Sequence, residues 1–493
     1  MVKIYSVFLL ILLAACAQNP SNFVDSEYYE ITFDKSNPAL VKVKAKLGVQ
    51  DSLLYMSFNG SMFEHWKDYV RNLEIKDGNG NSVEFSPDSS GWVIQGEHNS
   101  LNLSYDIAVE HEKIRWSGGI DGVAFVRDWG VMCSGRSLFI MNGEVKNNIK
   151  VKFNLPDGWK VSSPWLSHGD EKNLRTVENL HELQESLIFA GTHEEFEVSR
   201  GSFSVVFALG GEGVSGQKEK YLNLAEKSLD YYTKIMGGIP DISGDNNQSR
   251  ILVLINKGDE IDGEVIGKNI SMFMNPEADP QNQIIGWFLY THEFFHLWNG
   301  KSIKYEGTES DWFKEGITNY YALKAIDDAS IADEGMIKSV LNNLFYNRYI
   351  NDSALGKRAP AYTASGFDKH DHWGLVYGGG LFAGICIDMA LRHESYNQIS
   401  LDTVMKNLYT KYSGNEKFVN NETLLKEINS LTEQDFSTFF ANYVTGSEIV
   451  PLQEYLKYAG VDVDTTNKSL TLKHKTNKTE LEKNIWEGFL GRN

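Results

Sequence analysis

A chain of 493 residues exceeds what a single hydrophobic core can hold, so two or three domains are expected. With 42% hydrophobic and 23% charged residues it has the make-up of a water-soluble globular protein, not of a disordered one. A net charge of −19 and a pI near 5.1 exclude nucleic acid as a partner, because phosphate contact requires a basic surface.

The first sixteen residues read as an export signal. Lys3 gives a positive start, Ile4 to Leu13 is almost wholly apolar, and Ala14-Ala15-Cys16 closes the run with small residues. The run is too short to span a bilayer. Leu13-Ala14-Ala15-Cys16 resembles the lipobox of bacterial lipoproteins, which implies removal of residues 1–15, lipidation of Cys16 and a tether over 16–25. Ala17 after the cysteine favours the outer membrane of the bacterial envelope. No later segment is expected to reach the length of a membrane helix, so the bulk of the protein is read as aqueous and tethered.

From 26 to 210 the hydrophobic period is two. Val41 to Leu47 and Leu101 to Val109 alternate, and Ser137 to Met141, Val151 to Leu155 and Phe203 to Ala208 look similar, predicting a β-sandwich-like domain. After Gly210-Gly211 the period changes. Leu222, Ala225, Leu229, Tyr232 and Met236 predict a helix stopped at Gly237-Gly238, followed by a strand at Ile251 to Ile255, a loop to Gly267 and the segment Asn269 to Met274. Residues 211–330 are expected to form a catalytic core and 331–460 its helical continuation, with helices over Thr403 to Leu408, Leu424 to Ile428 and Phe436 to Tyr443; 461–493 reads as a polar tail. The fold class is therefore α+β and multidomain. Cys133 and Cys386 are read as buried apolar residues, and no internal repeat is present.

Chemistry concentrates at His292-Glu293-Phe294-Phe295-His296, followed after eighteen intervening residues by Glu315. In a helix, residues four apart lie about 40° apart around the axis and about 6 Å along it, so both imidazoles can share one metal. Ile284, Ile285, Phe288, Leu289, Phe295 and Trp298 make that helix apolar, and polar groups buried in it without partners would cost several kcal/mol each. A catalytic zinc takes three protein ligands and keeps one position open, so His292, His296 and Glu315 are the expected ligands of one Zn²⁺ and Glu293 the base beside it. Asn319, four residues past Glu315, would share its helix face and could accept an imidazole proton. His370 and His372, in a polar stretch, are left outside the site.

The run from His292 to Lys301, with Trp312-Phe313-Lys314-Glu315-Gly316-Ile317-Thr318-Asn319-Tyr320-Tyr321, resembles the M61 family of gluzincin metallopeptidases, the glycyl aminopeptidase type. Asn154 to Trp159, Ser400 to Tyr412 and Phe439 to Val444 resemble it too. The resemblance implies a thermolysin-like catalytic domain, a peptide substrate with a small N-terminal residue such as Gly or Ala, and a tyrosine that stabilises the oxyanion, a place that Tyr377 fills. Two departures stand out. Where the family carries a Gly-Gly-Leu-Glu-His edge strand that holds the substrate's free amine, this chain has Gly263 to Ser271, with Ile266 and Gly267 at the Glu and His places. Glu264, two residues earlier and on the same strand face as Ile266, could still contact an amine. Residues 461–493 are too few for the PDZ domain that ends many relatives. Besides an exported aminopeptidase, a zinc endopeptidase or oligopeptidase and a non-catalytic peptide- or glycan-binding lipoprotein remain open; the sequence leaves the oligomeric state undetermined.

Overall fold

The computed structural model describes residues 27–492 apart from 60–64, 112–121, 243–248, 366–367 and 415–416. Cys16 and the expected signal and tether lie outside the described residues.

The period-two segments form a seven-stranded sheet whose middle strands are Asn147–Asn154, Tyr28–Thr32, Leu40–Gly48 and Ser100–Ala108. Along Leu40–Gly48 the pattern acts as expected: Val41, Val43, Ala45 and Leu47 are buried, while Lys42, Lys44 and Lys46 face solvent. Two four-stranded sheets accompany it, and between the layers sits a core of Tyr29, Val43, Leu103, Tyr105, Phe139, Val151 and their neighbours. The predicted strand from Ser137 to Met141 is not one. A short helix, Gly135–Leu138, leads into the two-residue strand Met141–Asn142. Its apolar side chains are buried on all sides, and the hydroxyls of Tyr105 and Tyr29 donate to the carbonyls of Leu138 and Ile140, each at 2.9 Å, where a ladder partner would otherwise sit.

Residues 194–210, assigned from the sequence to the β-sandwich-like domain, belong to a different sheet. Strands Glu194–Arg200 and Phe203–Gly210 join Ser249–Lys257, Asn269–Met274 and Asp262–Ile266 in that order. Phe203–Gly210 runs parallel to Ser249–Lys257, with the helix Lys218–Met236 as crossover. Alternation reveals a strand but not its partner, so the sequence pattern alone does not separate these two strands from those before them. One face of this sheet, with Val205, Phe207, Val253 and Ile255, packs against the helices; the other, with Val206, Ala208, Leu252 and Leu254, packs against Phe125, Met132 and Phe189 of the β-rich part. Burial on both faces explains the unbroken apolar runs. The expected loop before Gly267 contains the edge strand Asp262–Ile266, antiparallel to Asn269–Met274, and Gly267 turns between them at φ +59°.

The crossover helix ends at Gly237, whose φ of 80° provides a left-handed stop. The motif lies on helix Pro280–Phe295, started by Pro280 and by Asp279, whose carboxylate accepts from the main-chain N–H groups of Gln281 and Asn282. A second helix, Asp311–Asp328, packs against it, and a third, Gly379–Glu394, crosses the second. At that crossing Gly316 faces Gly380: a Cβ on either would run into the backbone of the other helix.

Two further expectations change. The stretch Gly374–Glu394 is long and apolar enough to cross a membrane, contrary to expectation, but nearly all of its residues are buried inside the protein, so it is a core helix. The polar tail is folded. Strands Val461–Asp464 and Thr471–His474 pair, and helix Glu480–Phe489, capped reciprocally by Thr479 and Glu482, buries Ile485, Trp486 and Phe489. Its outer face and hairpin are polar, which hid the apolar stripe. Arg492 then clamps Asp327 through two bonds of 2.8 and 2.7 Å, and Arg392 donates to the carbonyl of Gly488 at 3.2 Å. Both Cys133 and Cys386 are buried free thiols.

Candidate metal centre

His292 stands on the last turn of the motif helix and His296 at its C-cap, and Glu315 reaches them from the start of the second turn of the second helix. The two Nε2 atoms are 3.1 Å apart, and Glu315 Oε2 lies 3.5 Å from His292 Nε2 and 3.2 Å from His296 Nε2. Ligands about 2.0–2.1 Å from a tetrahedral zinc are separated by about 3.3 Å. The three atoms therefore fit that ion, and two imidazole nitrogens and a carboxylate are a donor set it takes in peptidases.

Partners orient each ligand. His296 Nδ1 donates to the main-chain carbonyl of Asn299 at 3.0 Å, which puts the proton on Nδ1 and frees Nε2 for metal. The Asn299 side chain in turn donates to Lys314 O at 3.0 Å and Thr318 Oγ1 at 3.1 Å, tying the end of the first helix to the second. Asn319 lies against His292, where its side chain favours the protonated ring, while its Nδ2 is aimed at the main-chain carbonyl of Tyr377, 3.4 Å away. Burial pushes the His292 pKa down, with Glu315 opposing, so the neutral, ligating ring is favoured.

Glu315 uses its second oxygen elsewhere. Lys369 Nζ holds Oε1 at 2.8 Å and Asp311 Oδ2 at 2.9 Å, while Lys314 holds the other Asp311 oxygen at 2.5 Å. Burial pushes the Glu315 pKa up, but Lys369 and then the two histidines outweigh it and hold the carboxyl well below its usual range. One oxygen is thus committed to the lysine and one to the metal position. Sequence reasoning missed Lys369, which lies in a polar stretch with no motif; Asn299 stood inside the quoted run but its type alone gave no role.

These groups line a cleft of about 760 Å³ that also takes in Glu293, Glu264, Tyr377, Arg348, Trp373 and His370. Of the two histidines left outside the site, His370 lines this cleft and His372 is bonded to Asp352 at 2.9 Å. Glu293 is nearly buried, 3.9 Å from His292 Nε2. Tyr377 stacks on Trp373, ring centroids 5.0 Å apart and 8° from parallel; burial and then the Glu315 charge push its hydroxyl pKa up, against Lys369, so it stays a proton donor. Alternate residues of the edge strand serve two neighbours: a Cβ at Gly263 would point at Leu289 and Glu293 of the motif helix, whereas Glu264 and Ile266 meet Gly122 of the β-rich part. Burial first, then Asp262 and Glu185, push the Glu264 pKa up, with Arg136 and Lys301 opposing. At the family's Glu and His places, Ile266 is fully buried, and Gly267 meets the main chain of Glu185 where a Cβ would clash.

Residues 29–192 match the profile of the peptidase M61 N-terminal domain and 287–374 that of the M61 glycyl aminopeptidase, together just over half of the chain. No curated protein matches the sequence. Among solved structures, the chain is similar to an aminopeptidase N family protein from Idiomarina loihiensis, with 18% identity, a TM-score of 0.74 and coverage of 89% of this chain and 79% of that one. It is also similar to a mutant M1 zinc metallopeptidase from Deinococcus radiodurans bound to a Tyr-Ser-Ala substrate, with 13% identity, a TM-score of 0.52 and coverage of 87% and 95%. These likenesses concern the fold, an α+β frame with a β-rich N-terminal part.

Proposed function

The chain belongs to the M61 peptidase family and is a zinc metallopeptidase, and we propose that it is an aminopeptidase that releases small N-terminal residues from peptides. The observation that carries the reading is the convergence of His292, His296 and Glu315 at 3.1 to 3.5 Å with Glu293, Tyr377 and Glu264 on one cleft.

Zinc, when bound by those three residues, supplies Lewis acidity to the substrate carbonyl and to the attacking water. Glu293 takes the proton of that water and returns it to the leaving amine. Tyr377, kept protonated, donates to the oxygen on which negative charge grows. Glu264 accepts from the ammonium end of the peptide, and the edge strand offers main-chain groups to the residues beside it. With Ile266 and Gly267 at the family's Glu and His places, Glu264 and Asp262 are the carboxylates of this strand on the cleft, and an endopeptidase follows if Glu264 does not hold the amine.

Free and N-acetylated glycyl peptides separate the two. An aminopeptidase cleaves the first and spares the second; equal rates would make it an endopeptidase. We further propose that the chain is exported and held at the bacterial envelope by a lipid on Cys16, a reading supported by the apolar leader and the small residues before the cysteine. Loss of labelled fatty acid in Cys16→Ala, with the protein released into the soluble fraction, tests it.

A further inference from the structure

Beside the metal, the cleft contains a cation that neither the ligands nor their supports use. Arg348, on the short helix Asn347–Ile350, is exposed, lines the cleft, and makes no ion pair or hydrogen bond among the described residues. Its guanidinium carbon sits 4.7 Å from the centroid of the Trp373 ring. Trp373 stacks in turn on Tyr377 at 5.0 Å. Tyr377, Trp373 and Arg348 therefore form a three-rung ladder along one wall, and its far rung is a fork of donors oriented by an aromatic face.

The ladder is also a ruler. Tyr377 marks the carbonyl under attack, the Arg348 guanidinium stands at most about 10 Å from the Tyr377 ring, and an extended chain advances about 3.3 to 3.6 Å per residue. A carboxylate two or three residues beyond the cleaved bond falls within its reach. We propose that Arg348 receives the C-terminal carboxylate of the substrate, which makes tri- and tetrapeptides with both ends free the substrate class. This rests on the aminopeptidase reading, in which Glu264 holds the opposite end. A bidentate pair with a carboxylate is what an arginine placed over an indole can offer, and no carboxylate of the described residues is paired with it.

The experiment compares kcat/KM for glycyl tripeptides as free acid, as C-terminal amide and as N-acetylated acid, with a glycyl octapeptide acid as the long control. Wild type is expected to favour the free acid over the amide by on the order of tenfold at three and four residues and to lose the preference at eight. In Arg348→Gln the ratio of acid to amide should fall toward one, and Arg348→Lys should restore part of it. Equal cleavage of acid and amide tripeptides by wild type, or the same ratio in wild type and Arg348→Gln, would overturn the proposal. The N-acetylated peptide keeps the two readings apart: if it is cleaved as fast as the free amine the aminopeptidase falls, whatever the C-terminal preference, whereas an amine requirement without a carboxylate preference removes only Arg348.

Discussion

The two sides of the cleft are built on different principles. The metal side is fixed three times over: by Asn299 between the first two helices, by Lys369 on Glu315, and by the Gly316–Gly380 contact that fixes the second and third helices in register. The substrate side is a short edge strand, paired on one side only among the described residues and backed by the β-rich part. Chemistry that must hold three atoms within a few tenths of an ångström sits on crossed helices, and recognition sits on a strand whose side chains can change without moving the metal.

That contrast can be broken or sharpened in graded steps. Glu293→Gln should lower kcat by about a thousandfold with zinc content unchanged, measured on metal-loaded protein; retained turnover would sink the proposed base. Lys369→Met should weaken zinc affinity by about ten- to a hundredfold in a chelator competition, because Glu315 loses the cation that fixes its second oxygen. Gly380→Ala should cost about 1 to 3 kcal/mol in denaturant unfolding, since the added methyl meets the Trp312 carbonyl region. On the substrate side, Glu264→Gln should reduce kcat/KM for free-amine peptides by on the order of tenfold and leave zinc content untouched. A fall in zinc content there would erase the distinction between the two sides.

A separate effect, away from the cleft, concerns pH. His193 lies at the junction of the β-rich part and the catalytic sheet, bonded to Ser162 at 2.6 Å, with Glu195 and Lys160 nearby. Burial first, then the Lys160 charge, lower its pKa from 6.5 to about 3. The folded state thus binds this proton less readily than the unfolded chain. Stability from this group is complete above pH 6.5 and falls below it toward pH 3, by at most about 1.4 kcal/mol per unit. Urea unfolding from pH 7 to 5 should show this slope, and His193→Asn should flatten it.

What could be read in advance followed from range. His292, Glu293, His296 and Glu315 lie within one helix–turn–helix, so their spacing alone fixed their mutual geometry, and the alternation of Val41 to Leu47 told which face is buried. Lys369, Trp373 and Arg348 arrive from segments farther along and carry no pattern; a lysine in a polar run looks solvated until a carboxylate is found beneath it. Strand partners were illegible for the same reason: Phe203 to Ala208 reads alike in either sheet, and only the parallel crossover through Lys218–Met236 decides. The tail failed differently. Ile485, Trp486 and Phe489 were in plain view at helical spacing, but the charged residues among them dominated the composition.

The glycine crossing has a consequence for how such a protein can change over time. Because Gly316 and Gly380 meet through backbone alone, no gradual series of side-chain sizes leads away from their present separation, and every first step is uphill. Tyr377, on the turn leading into the third helix, is therefore inherited together with Glu315 as one unit. Selection for new substrates is left to act on the strand and on the aromatic ladder, so laboratory libraries aimed at altered peptide preference belong at Glu264, Trp373 and Arg348.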